Sequence, residues 1–365
     1  MTRLIAPTRL WMDGRFETGL AVEIEAGAIA RIRPLGPHEA PDLAPHLLIP
    51  ALTDLQVNGS GGVMLNSDAS PAAIETIVAA QRRLGTGFLL PTLITTTAER
   101  MRATAEAIIE AWGMPGLLGV HLEGPHLNPE RKGTHDATHM RPMDRATLAI
   151  LERLRAAGIP VMLTLAPEIV PPNLIREIAE MGVVVSAGHS AADAAETEAG
   201  LAAGISCFTH LYNAMPPMTS RAPGILGTAL ASSAYAGIIV DGHHVSWPMV
   251  AIACRARPLK NRTFLVSDAM ATVGGPDHFE LYGEEIRVCD GALVNAASAL
   301  AGAHVDLLTC LRNTVLHVGL PLEEAVAMAT DIPNAAIGLI PPAVEPGRTV
   351  DEILALDADL NRIDI

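Results

Sequence analysis

The stretch V-V-V-S-A-G-H-S-A-A-D-A-A-E-T-E-A-G-L-A-A-G-I-S-C-F-T-H, residues 183–210, decides the fold. It holds an apolar run (Val183–Ala187), a histidine just behind it (His189), an Ala-rich helical segment (Ala191–Ala203), and a second apolar run (Ile205–Phe208) followed by another histidine (His210). Strand, helix and strand at this spacing make a βαβ unit with parallel strands. The same alternation extends outward in both directions. Strand candidates precede it at Leu48–Leu55, Gly87–Leu93, Leu117–Leu122 and Ile159–Leu165, and follow it at Gly237–Asp241 and Thr263–Ser267. Helix-like segments sit between them at Pro71–Leu84, Asp144–Ala157 and Ser246–Ala256. Eight parallel strands over roughly 285 residues predict a closed (β/α)8 barrel rather than an open sheet.

The flanks read differently. Ala21–Ile32 alternates around Gly27 like a hairpin, and Ile353–Leu356 is strand-like near the acidic C-terminal end. Residues 1–49 and 335–365 are therefore expected to form a small β-sandwich domain, with residues 50–334 as the catalytic barrel.

Bulk composition narrows the function. The 365 residues are 49% hydrophobic and only 3% aromatic, as suits a barrel core of Ala, Val, Leu and Ile. A net charge of -15 with no run of Lys and Arg argues against nucleic acid and anionic membranes as partners. Cys207, Cys254, Cys289 and Cys310 lack C-x-x-C spacing and read as free thiols in a reducing compartment. The N-terminal residues hold no apolar stretch of signal-peptide length, and Ile225–Val240 is too short and interrupted to span a bilayer. The expected location is the cytoplasm.

The polar residues behind the strands carry the chemistry. Gln56 and Asn58 follow the first, Glu123 the third, His189 the fifth, His210 the sixth, Asp241 the seventh and Asp268 the eighth. In a parallel barrel these ends share one rim, where active sites lie. Singly, each residue has an ordinary structural reading, such as a helix cap for Asp268. Together, Glu123, His189 and His210 supply a catalytic zinc set that leaves a position open for water. Asp268 is placed to accept a proton from that water, made hydroxide-like at neutral pH, and to return it to a leaving amine.

These residues lie within longer strings: P-A-L-T-D-L-Q-V-N-G-S-G-G from Pro50, H-L-E-G-P-H from His121, K-G-T-H from Lys132, S-A-G-H-S from Ser186, T-H-L-Y-N-A-M from Thr209, D-G-H-H-V from Asp241 and V-S-D-A-M from Val266. In these the chain resembles the N-acetylglucosamine-6-phosphate deacetylases of the amidohydrolase superfamily. The resemblance implies deacetylation of N-acetyl-D-glucosamine 6-phosphate to D-glucosamine 6-phosphate and acetate. It assigns the metal to Glu123, His189 and His210, and acid–base work to Asp268. His135 would polarise the acetyl carbonyl. Thr134, His135, Asn213 and Ala214 would contact substrate, Arg221 and His244 would hold the phosphate, and Leu300, Ala301 and Gly302 would close over the sugar. The same resemblance implies a homodimer whose subunits share the phosphate site.

One departure from the wider superfamily is informative. Its usual H-x-H second-metal positions are Gln56 and Asn58 here, and amides are poor zinc ligands. One divalent metal per subunit is expected, Zn2+ first, with Fe2+, Co2+ or Mn2+ able to use the same donors. Two other readings share much of this evidence: an N-acetylgalactosamine-6-phosphate deacetylase, and a catalytically silent sugar-phosphate binder. A cyclic-amide hydrolase fits less well, because Lys132 and Lys260 are the only lysines and neither ends a strand.

Overall fold

The computed structural model describes residues 2–296 and 299–365. Met1, in the expected 1–49 segment, and Ala297 and Ser298, in the expected 50–334 segment, lie outside the described residues.

The eight barrel strands are β1 (Leu52–Val57), β2 (Thr86–Ile94), β3 (Val120–Glu123), β4 (Val161–Leu165), β5 (Val184–Ala187), β6 (Ile205–Phe208), β7 (Tyr235–Ile238) and β8 (Thr263–Leu265). They pair in sequence order, every neighbour parallel. Closure comes just past β8: the Asp268 N–H donates to the Gln56 carbonyl at 3.0 Å, and the Asn58 N–H to the Ala269 carbonyl at 2.9 Å. Parallel strands covered on both faces need continuous apolar runs, and β4 and β5 supply them.

Helices wrap the outside: α1 (Pro71–Arg83), α2 (Ala98–Ala111), α3 (Arg145–Ala156), α4 (Pro172–Glu180), α5 (Ala194–Ala203), α6 (Gly224–Ala231), α7 (Trp247–Ala256) and α8 (Leu307–Leu316). After them, α9 (Leu322–Ala329) and α10 (Asp331–Ala336) pack on β8 and β1. Their starts follow the expected capping chemistry. The Ser70 hydroxyl accepts from Ala73 N–H ahead of α1, the Asp144 carboxylate from Thr147 N–H ahead of α3, and Asp193 and Glu196 form a capping box on α5.

Several expected strands shift: the third runs Val120–Glu123, so Glu123 is its last residue rather than the one behind it, and two others change partners or ends. Leu48–Leu55 is two strands in two sheets, Leu47–Pro50 and β1, because the backbone changes partners at Ala51. The Ala51 N–H donates to the Glu352 carbonyl of the outer sheet, whereas the Leu52 N–H donates to Gly85 at the barrel. The seventh strand starts earlier, at Tyr235, and stops at Ile238; Asp241 lies in the following loop.

The chain ends meet outside the barrel. Ile353–Leu356 pairs antiparallel with Leu47–Pro50 in a five-stranded sheet that also holds Arg9–Met12, Arg15–Glu17 and Arg362–Ile363. A three-stranded sheet of Arg3–Ile5, Leu20–Glu25 and Ala28–Pro34 contains the expected hairpin. Ile5, Leu10, Val22, Leu48 and Ile353 fill a separate apolar core there. Two elements have no counterpart among the strands expected from the sequence: a short antiparallel pair, Gly59–Ser60 with Val63–Met64, and an antiparallel flap of three strands, His278–Leu281, Glu284–Cys289 and Ala292–Val294, between β8 and α8. Its Leu281, Ile286 and Leu293 pack on Met64, Ile94 and Met270 at the barrel mouth. Among the described residues, no helix is long and apolar enough to cross a membrane.

Candidate active site

At the C-terminal rim three side-chain atoms converge. Glu123 Oε1 lies 3.1 Å from His189 Nε2 and 3.0 Å from His210 Nε2, and the two imidazole nitrogens are 3.0 Å apart. All three residues are buried. His189 Nδ1–H donates to the Arg131 carbonyl at 2.8 Å, so its bare Nε2 points at Glu123 and His210. Burial alone would push Glu123 up and His210 down. The contacts with His189 and His210 outweigh it at Glu123, holding the carboxyl well below the usual carboxylate range, and Glu123 leaves His210 raised. Both shifts mark a place where positive charge is favoured, and the donor triangle suits a cation about 2.0–2.2 Å from each atom.

The backbone turns sharply to aim these groups. His189, His210 and Asp268 have φ of 48°, 26° and 53°, in the left-handed region that side-chain-bearing residues rarely adopt. Each stands just beyond its strand, where ordinary extended backbone would carry the side chain past the mouth. Such conformations cost on the order of 1–3 kcal/mol each and persist where surrounding structure enforces them.

Asp268 is the second focus. Its Oδ1 accepts from Asn58 Nδ2 at 2.7 Å and from Gln56 Nε2 at 3.0 Å. Gln56 Nε2 also reaches Glu123 Oε2, at 3.1 Å. Burial and the nearby charge of Glu123 raise the Asp268 carboxyl above its ordinary value, against the opposing pull of His210. The amides at the two replaced metal positions thus hold the carboxylate in place. Beneath them Asp54 accepts from the Gln56 N–H at 3.0 Å and the Ser267 N–H at 3.1 Å, tying β1 to the segment that leads into Asp268.

His135 is neutral with a defined tautomer. The Thr95 N–H donates to its Nδ1 at 3.3 Å and the Thr95 hydroxyl lies 2.8 Å from the same atom, so the proton sits on Nε2. Burial, reinforced by His189, holds its pKa well below the ordinary histidine value. Nε2 faces Glu123 Oε2 at 4.0 Å. An imidazole N–H with no charge at the rim is a donor suited to a carbonyl oxygen.

These groups line one open cleft of about 570 Å³, within the size range of small-molecule sites. A model of the amidohydrolase family matches residues 47–351. The chain belongs to the amidohydrolase family. Within it, the chain is 35% identical over 332 residues to N-acetylgalactosamine-6-phosphate deacetylase of Shewanella, covering 88% of this chain and 83% of that one. It is 32% identical over 304 residues to N-acetylglucosamine-6-phosphate deacetylase of Haemophilus influenzae, covering 82% and 79%. The crystal structure of the N-acetylglucosamine-6-phosphate deacetylase of Pasteurella multocida superposes with a TM-score of 0.90 at 30% identity, covering 99% of this chain and 97% of that one.

The amidohydrolase cleft gathers most of the residues singled out above. Thr134, Asn213, Ala214, His244, Leu300 and Gly302 line it beside Glu123, His189, His210, His135 and Asp268. His244 is pinned by Asp241, which accepts from its Nδ1–H at 2.6 Å and from the His243 and His244 backbone N–H groups. Ala301 is fully buried behind the lining. Gly302 has φ 71°, and a Cβ there would meet Met270 Cε at 2.2 Å, so only glycine fits. Arg221 is the residue left apart: it is exposed and outside the cleft of its own chain. Sequence reasoning passed over Thr95, Ile94, Met270 and Asp54: Ile94 and Met270 are apolar, and the roles of Thr95 and Asp54 rest on hydrogen bonds to residues distant in sequence. His121 and His126 flank Glu123 and brace the segment around it. His121 links the Leu55 carbonyl to the Thr164 hydroxyl, and His126 the Arg141 carbonyl to the Thr147 hydroxyl.

Proposed function

We propose that this chain hydrolyses the acetamide of N-acetyl-D-glucosamine 6-phosphate, giving D-glucosamine 6-phosphate and acetate. One observation carries the reading. A buried carboxylate of raised proton affinity, a three-donor cation site and a neutral imidazole N–H share one cleft. Glu123, His189 and His210 would hold one divalent metal, Zn2+ before Fe2+, Co2+ or Mn2+. When bound, it supplies an acidified water and Lewis-acid polarisation of the amide carbonyl.

The chain's own groups do the rest. His135 Nε2–H donates to the acetyl oxygen as negative charge builds on it. Asp268 takes a proton from the attacking water and delivers it to the amide nitrogen as the C–N bond breaks and the new C–O bond stays with acetate. Gln56 and Asn58 keep the Asp268 oxygen on line between the two. Ile94 and Met270 keep part of the cleft wall apolar. Thr134, Asn213 and Ala214 position the sugar, Leu300, Ala301 and Gly302 cover it, and His244 meets the phosphate. Arg221 serves the cleft of a second subunit in a homodimer, which accounts for its exposure here, and its planar fork suits phosphate oxygens. Residues 50–334 act as the catalytic barrel, with 1–49 and 335–365 as the sandwich domain. The protein works in the cytoplasm, where its four free cysteines stay reduced.

The galactosamine epimer is a second reading with its own support, the 35% identity to the Shewanella enzyme. The silent-binder reading loses ground, because binding alone requires neither the raised carboxyl of Asp268 nor the fixed tautomer of His135. The test is metal content measured beside acetate release from both epimers. About one metal per chain with turnover of the glucosamine sugar supports the proposal; turnover of the galactosamine sugar alone moves it to the second reading. Metal without acetate release from either sugar sinks both.

A further inference from the structure

Besides its apolar packing on Ile94 and Met270, the flap between β8 and α8 makes one polar contact with the support of His135. Tyr282 is the first of two residues in the turn joining His278–Leu281 to Glu284–Cys289. Its phenol reaches across to the barrel, and its Oη–H donates to the Thr95 carbonyl at 2.7 Å. Thr95 is the residue whose N–H and hydroxyl fix the ring of His135. The phenol therefore holds the residue that holds the imidazole.

The backbone at Tyr282 makes this contact hard to read as incidental. Tyr282 and Gly283 have φ of 53° and 80°. A two-residue turn with both angles positive favours Asn-Gly or Asp-Gly, and a bulky aromatic residue at its first position is strained. The residue sits 39% exposed with a ring that contributes little to the flap's apolar face, which Leu281, Ile286 and Leu293 provide. A turn-forming role calls for a smaller side chain; a reach of this length calls for tyrosine.

We propose that Tyr282 is a positioning residue that clamps the flap onto Thr95 and thereby fixes His135 for the reaction. The clamp acts through His135 alone and touches no substrate atom. It rests on the deacetylase reading for its kinetic consequence, but the clamp itself is a property of the fold.

The test uses the metal-loaded enzyme and the epimer that the wild type turns over. Tyr282→Phe keeps the ring and removes the contact; Tyr282→Asn removes it while improving the turn. Both are expected to lower kcat roughly ten- to hundredfold with KM within about twofold, as misplacement of a catalytic group does. In a His135→Asn background, Tyr282→Phe is expected to cost almost nothing further, since coupled residues are non-additive. Full activity in Tyr282→Phe overturns the proposal, as does an equal loss in the His135→Asn background. Restored activity in Tyr282→Asn assigns the residue to the turn instead. Should the wild type release acetate from neither sugar, amide hydrogen exchange decides the clamp separately. Faster exchange at Thr95 and His135 in Tyr282→Phe supports it, and unchanged exchange overturns it.

Discussion

Two groups of charged side chains in this molecule are built on opposite plans. On the N-terminal sheet, Glu23 pairs with Arg31 at 2.9 Å and with Arg33 at 2.6 Å, and Arg33 pairs with Glu39 at 2.6 Å. Each charge there has a partner of opposite sign within the chain, in contact with solvent. At the barrel mouth two carboxylates, Glu123 and Asp268, are buried among imidazoles and amides, and among the described residues no arginine or lysine lines their cleft. The first group is complete in itself and asks nothing of the surroundings. The second is held by imidazoles and amides that face an open cleft. A solvated ion pair therefore says little about function; buried carboxylates of shifted proton affinity lining a cleft say much more.

The contrast yields an ordered set of expectations. Glu123→Gln removes a charge the mouth is organised around. Metal content should fall, and acetate release should drop by three or more orders of magnitude, since a catalytic metal contributes several kcal/mol. Retained metal with retained turnover would show that the donor triangle is not the metal site. Asp268→Asn should keep the metal and lose about 10²–10⁴-fold in kcat. If the metal also departs, Asp268 is a ligand rather than an acid–base group.

Asp54 gives a smaller effect with a definite sign. Burial pushes its carboxyl up to about 7, from 3.8, against the hydrogen bonds it accepts. The folded state holds that proton more tightly than the unfolded chain, so the contribution of Asp54 to stability is fullest at low pH and is lost as pH rises from about 4 towards 7. Asp54→Asn removes this slope. Its stability relative to wild type should improve on the order of a few kcal/mol across that window. Parallel melting curves at pH 4.5 and 7.5 check it, and a constant difference would mean Asp54 carries no such linkage. The surface network gives the least. Arg33→Gln should leave turnover unchanged and shift melting only marginally, more so at low salt. A marked loss of activity would show that the outer sheet is coupled to the mouth.

Much of the mouth is legible in the sequence, for a physical reason. In a parallel barrel the end of every strand leads to one rim, so polar residues behind Val184–Ala187 or Ile205–Phe208 must converge once the strands are recognised. What stays hidden lacks that logic. The flap strands are short, and Glu280, Glu284, Glu285 and Arg287 interrupt them, so no apolar run stands out until Met64, Ile94 and Met270 appear opposite. The break at Ala51 depends on which carbonyl each neighbouring N–H finds, which an apolar run from Leu48 to Leu55 does not encode. Thr95 fixes the tautomer of His135 from forty residues away in sequence, through one N–H and one hydroxyl. Arg221 enters through the family resemblance, yet its place outside the cleft follows from three-dimensional position alone.

The left-handed backbone at His189, His210 and Asp268 bears on how far this protein could be made more heat-resistant. Those three positions hold conformational energy that a glycine would release, but the release would remove the side chains that need to be aimed there. Ala26, in the peripheral hairpin, has a φ of 49° and no chemistry to defend. Thermostability is easiest to gain there, where relaxing the chain to Gly or Asn sacrifices no reactivity, while the rim must stay taut to remain an enzyme.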